Sequence, residues 1–110
     1  MDRGTLSVVK KLAKALRKKG LRVEGVVVFG SVVNGEPGPD SDLDIAVISS
    51  DFEYMDTIER MRVVSEARVE AHLLQGPMDI FGYTPEEFNN AEEGTFLGDE
   101  IRAKGILIAV

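Results

Sequence analysis

Residues 26–48 read VVVFGSVVNGEPGPDSDLDIAVI: an apolar run, a glycine- and proline-rich loop, then a second apolar run that resumes behind Asp42 and Asp44. Short unbroken runs of β-branched residues predict strands buried on both faces, so the stretch reads as strand, loop, strand. Two carboxylates at the mouth of a buried strand need a reason. Successive strand residues point to opposite faces, which sets Asp42 and Asp44 side by side and leaves Leu43 and Ile45 to the other face. Without a basic neighbour in sequence the pair repels, and a hard divalent cation such as Mg²⁺ is its natural oxygen-liganded partner. The alternative is a pair of surface residues that merely open the strand.

Two familiar loops fail against this stretch. Asp40, Asp42 and Asp44 imitate the first ligands of an EF-hand and Asp51 its last, but Ile45 stands where the turn requires glycine. Gly30 and Gly35 have the separation of a P-loop, yet Glu36 and Pro37 replace its lysine and its Ser or Thr.

Outward from the loop, the chain alternates helix and strand. Leu6, Val9, Leu12, Ala13 and Leu16 recur at spacings of three and four, predicting an amphipathic helix over residues 5–19 that Gly20 stops as its C′ residue. LRVEGVVVF is the first strand, DLDIAVIS the second and PMDIFGY the third. After Gly30 the Gly35, Pro37, Gly38 and Pro39 cluster leaves room for no more than a turn of helix. YMDTIERMRVVSEARVEAHLL reads as a second long helix. TPEEFNNAEEGTFLGDEIRAKG reads as a third, with Thr84 as N-cap, Pro85 at its first position and Glu87 completing a capping box. The closing ILIAV is a short strand or tail. The expectation is a single domain over residues 1–110 of α/β (α+β) class, a small mixed β-sheet flanked by helices.

Composition narrows the function. The 110 residues hold 44% hydrophobic and 29% charged side chains, which is globular usage, and no cysteine, which excludes disulfides, thiolate metal sites and a thiol nucleophile. A formal charge of −6 argues against an extended duplex nucleic-acid footprint. Lys10, Lys11, Lys14, Arg17, Lys18, Lys19 and Arg22 crowd the first segment and read as a solvated helix face. The apolar runs fall far short of the ~20 residues of a membrane span, and the expectation is a soluble, cytoplasmic protein. His72, the one histidine, reads as a surface or packing residue, and Glu86 and Glu87 as helix-start charges.

What remains is Gly30-Ser31 after a buried strand and Ser41-Asp42-x-Asp44 opening the next. This GSVVNGEPGPDSDLDIAV resembles the signature of the DNA polymerase β nucleotidyltransferase superfamily, and the short one-domain layout is similar to its stand-alone minimal branch in archaea and bacteria. The likeness spans most of the chain: Asp79 in PMDIF stands where the family's third acidic residue is expected, and TPEEF and AKGILI are similar to its C-terminal half. The resemblance implies the nucleotidyltransferase fold and transfer of a nucleoside monophosphate, AMP from ATP, to a hydroxyl acceptor. It implies Asp42, Asp44 and Asp79 as catalytic residues holding two Mg²⁺ ions, and Gly30 and Ser31 as the contacts to the triphosphate. It also implies a small helical HEPN-domain protein as partner, with this chain as antitoxin of the pair. Relatives often carry arginine after Gly-Ser, where Val32, Val33 and Asn34 stand here. That departure keeps a second reading open, a binding module that neutralises a helical partner by contact. The acceptor, the base preference and the oligomeric state, a homodimer included, are left open.

Overall fold

In the computed structural model, which describes residues 3–34, 42–74 and 76–110, the first apolar stripe forms helix α1, Arg3–Lys18. Val9, Leu12 and Leu16 are fully buried along it. Gly20, at φ +88°, ends it as expected: its N–H bonds the Arg17 carbonyl while Leu21 N–H reaches back to Leu16, the paired closure of a Schellman turn. Readings that fall on Gly35, Pro37, Gly38, Pro39 and Ser41 lie outside the described residues.

Strand β1, Gly25–Phe29, is buried throughout. It is shorter than LRVEGVVVF predicts, because residues 21–24 are held by the turn after the second strand instead of a ladder. Arg22 N–H donates to the Asp51 carboxylate, Glu24 N–H to the Ile48 carbonyl, and the Ser50 hydroxyl to the Glu24 carboxylate. One short helix, α2, Ser31–Asn34, follows Gly30, and Leu43–Ile48 form β2. A 3₁₀ turn, Ser50–Tyr54, precedes α3, Thr57–Glu70. The turn lies before the stretch that reads as one long helix and overlaps it only at Tyr54. Helix α3 ends at Glu70 because His72 enters the left-handed region at φ +58°, and Leu73 N–H closes on Arg68 as Leu21 does on Leu16.

Strand β3, Met78–Tyr83, is followed by α4, Pro85–Asn89, with the Thr84–Glu87 capping box formed in both directions. The single helix expected over residues 84–105 is two. Gly94 at φ +87° separates α4 from a π-helical turn, Leu97–Ala103, before β4, Ile106–Ile108. Gly98 is forced by that break, since a Cβ there would lie 2.0 Å from the Glu92 carbonyl oxygen.

The sheet order is β3-β2-β1-β4; β1 runs antiparallel to β2 and β4, and β2 parallel to β3, giving the mixed sheet the sequence predicts. Strand periodicity divides its two faces. Val26, Val28, Ile45 and Val47 face α1 and α3 and make the larger core. Val27, Phe29, Ala46 and Ile48 face the other way, against Ile101 of the π-helical turn with Leu97 and Phe88 packed beside it. No helix among the described residues is long and apolar enough to cross a membrane.

Candidate functional site

The second face is roofed by the π-helical turn only over part of its area, and the aspartates stand at its other end. Registers align three side chains across the strands: Phe29 of β1 opposite Asp44 of β2, and Asp44 opposite Asp79 of β3. The parallel ladder fixes this row, so side chains 35 positions apart in sequence share one ledge. Asp42, just before β2, is exposed, and its charge reaches Asp44. Leu43 and Ile45 turn to the helical face, as the alternation predicts.

Electrostatics marks the ledge as a cation site in waiting. Burial raises the Asp44 carboxyl above its ordinary value of 3.8; the charges of Asp79 and Asp42 and a hydrogen bond with Asp79 push the same way. None of the ion pairs among the described residues includes Asp42, Asp44 or Asp79. Clustered carboxylates without a protein cation are the donor set that hard divalent ions take. Among the described residues no three His, Cys, Asp or Glu side chains are already grouped to hold a metal ion. Asp44 and Asp79 are in contact, while Asp42 acts on Asp44 through its charge.

Gly30 completes the floor. It sits at φ +81°, and a Cβ on it would lie 2.1 Å from Asp44 Oδ2, so only glycine lets the chain turn directly against this carboxylate. Ser31 opens α2 beside it, and Val33 N–H bonds the Gly30 carbonyl. Val32 and Val33 pack against the main core. Their apolar side chains anchor α2 but offer nothing to a phosphate.

Two arginines of α3 set the position of β3, the edge strand carrying Asp79. Arg68 donates to the carbonyls of Leu73, Gly76 and Met78, clamping the approach to Asp79. Arg60 donates to Phe52, Met55 and Gly82 carbonyls and to Glu87 Oε1 at 2.6 Å, with its guanidinium 5.7 Å from the Phe52 ring centroid. A cavity of about 440 Å³ lies along this edge, lined by Thr57, Arg60, Met61, Asp79, Phe81 and Tyr83 among others. The arginines and the aromatic residues beside Asp79 are not singled out by the sequence. Phe81 carries the one usable signal, standing two positions after Asp79 and hence on its face. His72 is exposed at the end of α3, and Glu87 serves the α4 cap, both as expected.

Comparison with known proteins follows the same lines. The family model of the nucleotidyltransferase domain matches residues 9–106. No curated protein matches the chain. A Sulfolobus solfataricus protein classed as a nucleotidyltransferase superimposes with a TM-score of 0.66 at 20% identity, covering 94% of this chain and 78% of its own. A mutant of the toxin–antitoxin pair MntA–HpeT gives 0.58 at 22% identity, over 89% of this chain and 69% of that one. A toxin–antitoxin structure with AMP-PNP gives 0.50 at 25% identity, over 76% and 59%. The likeness to the Sulfolobus solfataricus protein over 94% of this chain agrees with the fold read from the sequence.

Proposed function

The chain belongs to the nucleotidyltransferase domain family, and from that premise we propose that it transfers a nucleoside monophosphate, AMP from ATP, to a hydroxyl acceptor at the Asp42, Asp44 and Asp79 ledge. The observation that carries this reading is the Asp44–Asp79 contact with Gly30 turned against it: like charges brought together, with a floor that excludes any larger residue. Asp42, Asp44 and Asp79 would hold two Mg²⁺ ions, which would supply positive charge for an in-line displacement in which the acceptor oxygen bonds the α-phosphorus and pyrophosphate leaves.

The residues of the chain do the rest. The rigid β2–β3 ladder holds Asp44 and Asp79 at fixed spacing, so little reorganisation is needed when substrate arrives. Gly30 lets backbone approach the triphosphate without a Cβ, and Ser31 offers its hydroxyl and amide to phosphate oxygens. Asp79, nearest the open edge of the sheet, takes the acceptor side and assists removal of the hydroxyl proton. With no arginine at residues 32–34, phosphate charge would fall to the metal ions that these carboxylates would hold.

Support for an adenine nucleotide comes from the 25%-identical neighbour solved with AMP-PNP, and support for a protein partner from the two toxin–antitoxin neighbours. A small helical HEPN-domain protein is the partner that this reading names, as toxin to this antitoxin. The site of action is the cytoplasm. A second reading, neutralisation of that partner by contact alone, is favoured by Val32 and Val33, which pack against the core and leave no cationic side chain at this turn for a phosphate. The test is incubation of purified protein, candidate partner, Mg²⁺ and ATP labelled at the α-phosphate. The enzyme reading expects label on the partner and a loss of more than about a hundredfold in Asp44→Asn, beyond what even outer-shell changes around a metal cost. Neutralisation of the partner by wild type and Asp44→Asn alike, with no label transferred, would make the chain a binding module.

A further inference from the structure

Beside the carboxylate row the same sheet face carries three aromatic rings. Phe29 lies 5.9 Å from Phe81 and 5.8 Å from Phe96, ring centroid to centroid, and Phe81 and Phe96 are 6.0 Å apart. Phe29 is only 3% exposed, whereas Phe81 is 37% and Phe96 54% exposed. Here the buried ring supports two that stay open to solvent.

Their placement relates them to the nucleotide. Phe81 follows Asp79 by two residues on β3, so it stands on the same face after a backbone step of about 6.6 Å, a step that a ribose spans. Phe29 lies directly across from Asp44 in the β1–β2 register. With phosphates at the aspartates, the other end of a nucleotide falls on the rings. We infer that Phe81 and Phe96, supported by Phe29, are the stacking platform for the nucleobase of the substrate triphosphate. This rests on the reading that the Asp44–Asp79 ledge binds nucleotide.

Base stacking on aromatic rings uses the π-face common to all bases, so the platform adds affinity without choosing the base edge. Larger purine faces gain more than pyrimidine faces. The edge contacts that would distinguish adenine from guanine are not supplied by phenylalanine.

The test compares ATP with inorganic tripolyphosphate, which has the phosphates but no base, in Mg²⁺ by calorimetry. Wild type should bind ATP at least about tenfold more tightly, the scale of one stacked base. Phe81→Ala and Phe96→Ala should each bring ATP down toward tripolyphosphate while tripolyphosphate affinity holds, and Phe96→Trp should retain ATP. Unchanged ATP affinity in both alanine variants would overturn the platform and leave the ledge standing, including the case in which they lose only partner binding. Equal loss of both ligands would also overturn it, by assigning the rings to packing. Binding of neither ligand by wild type would remove the nucleotide site itself, and the platform with it.

Discussion

Asp44 and Asp79 face each other across the parallel pairing of β2 and β3, close enough to share a hydrogen bond, with no cationic side chain paired to either among the described residues. Such a contact is unfavourable in the bare protein and becomes favourable once a cation enters it.

The first consequence is a pH signature. Asp44 is raised above its ordinary 3.8, chiefly by burial and then by Asp79 and Asp42. The folded state therefore holds this proton more tightly than the unfolded chain does. Its stabilising contribution is present in full below the unfolded value and is lost as pH rises through the raised folded value. In chelator, Asp44→Asn should thus gain melting temperature over wild type as pH goes from below 3.8 to neutral, the gap vanishing at the acid end. A gap that is constant with pH would show that Asp44 carries no such repulsion.

Gly30→Ala and Gly20→Ala form a matched pair. Both glycines lie in the left-handed region, at φ +81° and +88°, but a Cβ meets Asp44 Oδ2 at 2.1 Å from Gly30 and nothing within 4 Å from Gly20. Gly20→Ala should cost about 1–2 kcal/mol of stability, the left-handed penalty alone, and keep nucleotide binding. Gly30→Ala should displace the Asp44 carboxylate as well and lower Mg²⁺-dependent nucleotide binding by more than about tenfold. Denaturant titration and calorimetry separate the two effects.

Arg60→Ala removes the cation that ties the 3₁₀ turn, β3 and the α4 cap together. Expected is a loss of about 2–3 kcal/mol, or roughly 10 °C in melting temperature. Glu87 supplies a second readout. Burial pushes its carboxyl up, but the Thr84 N–H and Arg60 hydrogen bonds outweigh burial and hold it below its ordinary 4.5. Its contribution is present above that ordinary value and is lost as pH falls through the lowered one. Arg60→Ala should flatten this acid-side decline in thermal melts, and a variant with an undiminished decline would place the effect elsewhere.

What sequence made visible followed from strong local rules. Alternation put Asp42 and Asp44 apart from Leu43 and Ile45, Gly20 ended α1, and Thr84 with Glu87 marked a helix start. Asp79 was placed by resemblance, and only the β2–β3 register shows that it meets Asp44. Non-local features were not legible. The break at Gly94 hid within a helix-like composition, and the left-handed His72 ended α3 where no glycine warned of it. The Phe29–Phe81–Phe96 cluster joins three separate segments that only the folded sheet brings together.

The most direct measurement is calorimetry of ATP binding to wild type, Asp44→Asn and Asp79→Asn, each with Mg²⁺ and with chelator. The chain's −6 net charge and the acidic ledge repel a bare triphosphate, so wild type should bind ATP only with Mg²⁺. Both variants should fold and lose that binding by more than about a hundredfold, since an amide is a far poorer magnesium ligand than a carboxylate. Equal ATP binding in chelator, or undiminished Mg²⁺-dependent binding by both variants, would contradict a metal-bridged nucleotide site at Asp44 and Asp79.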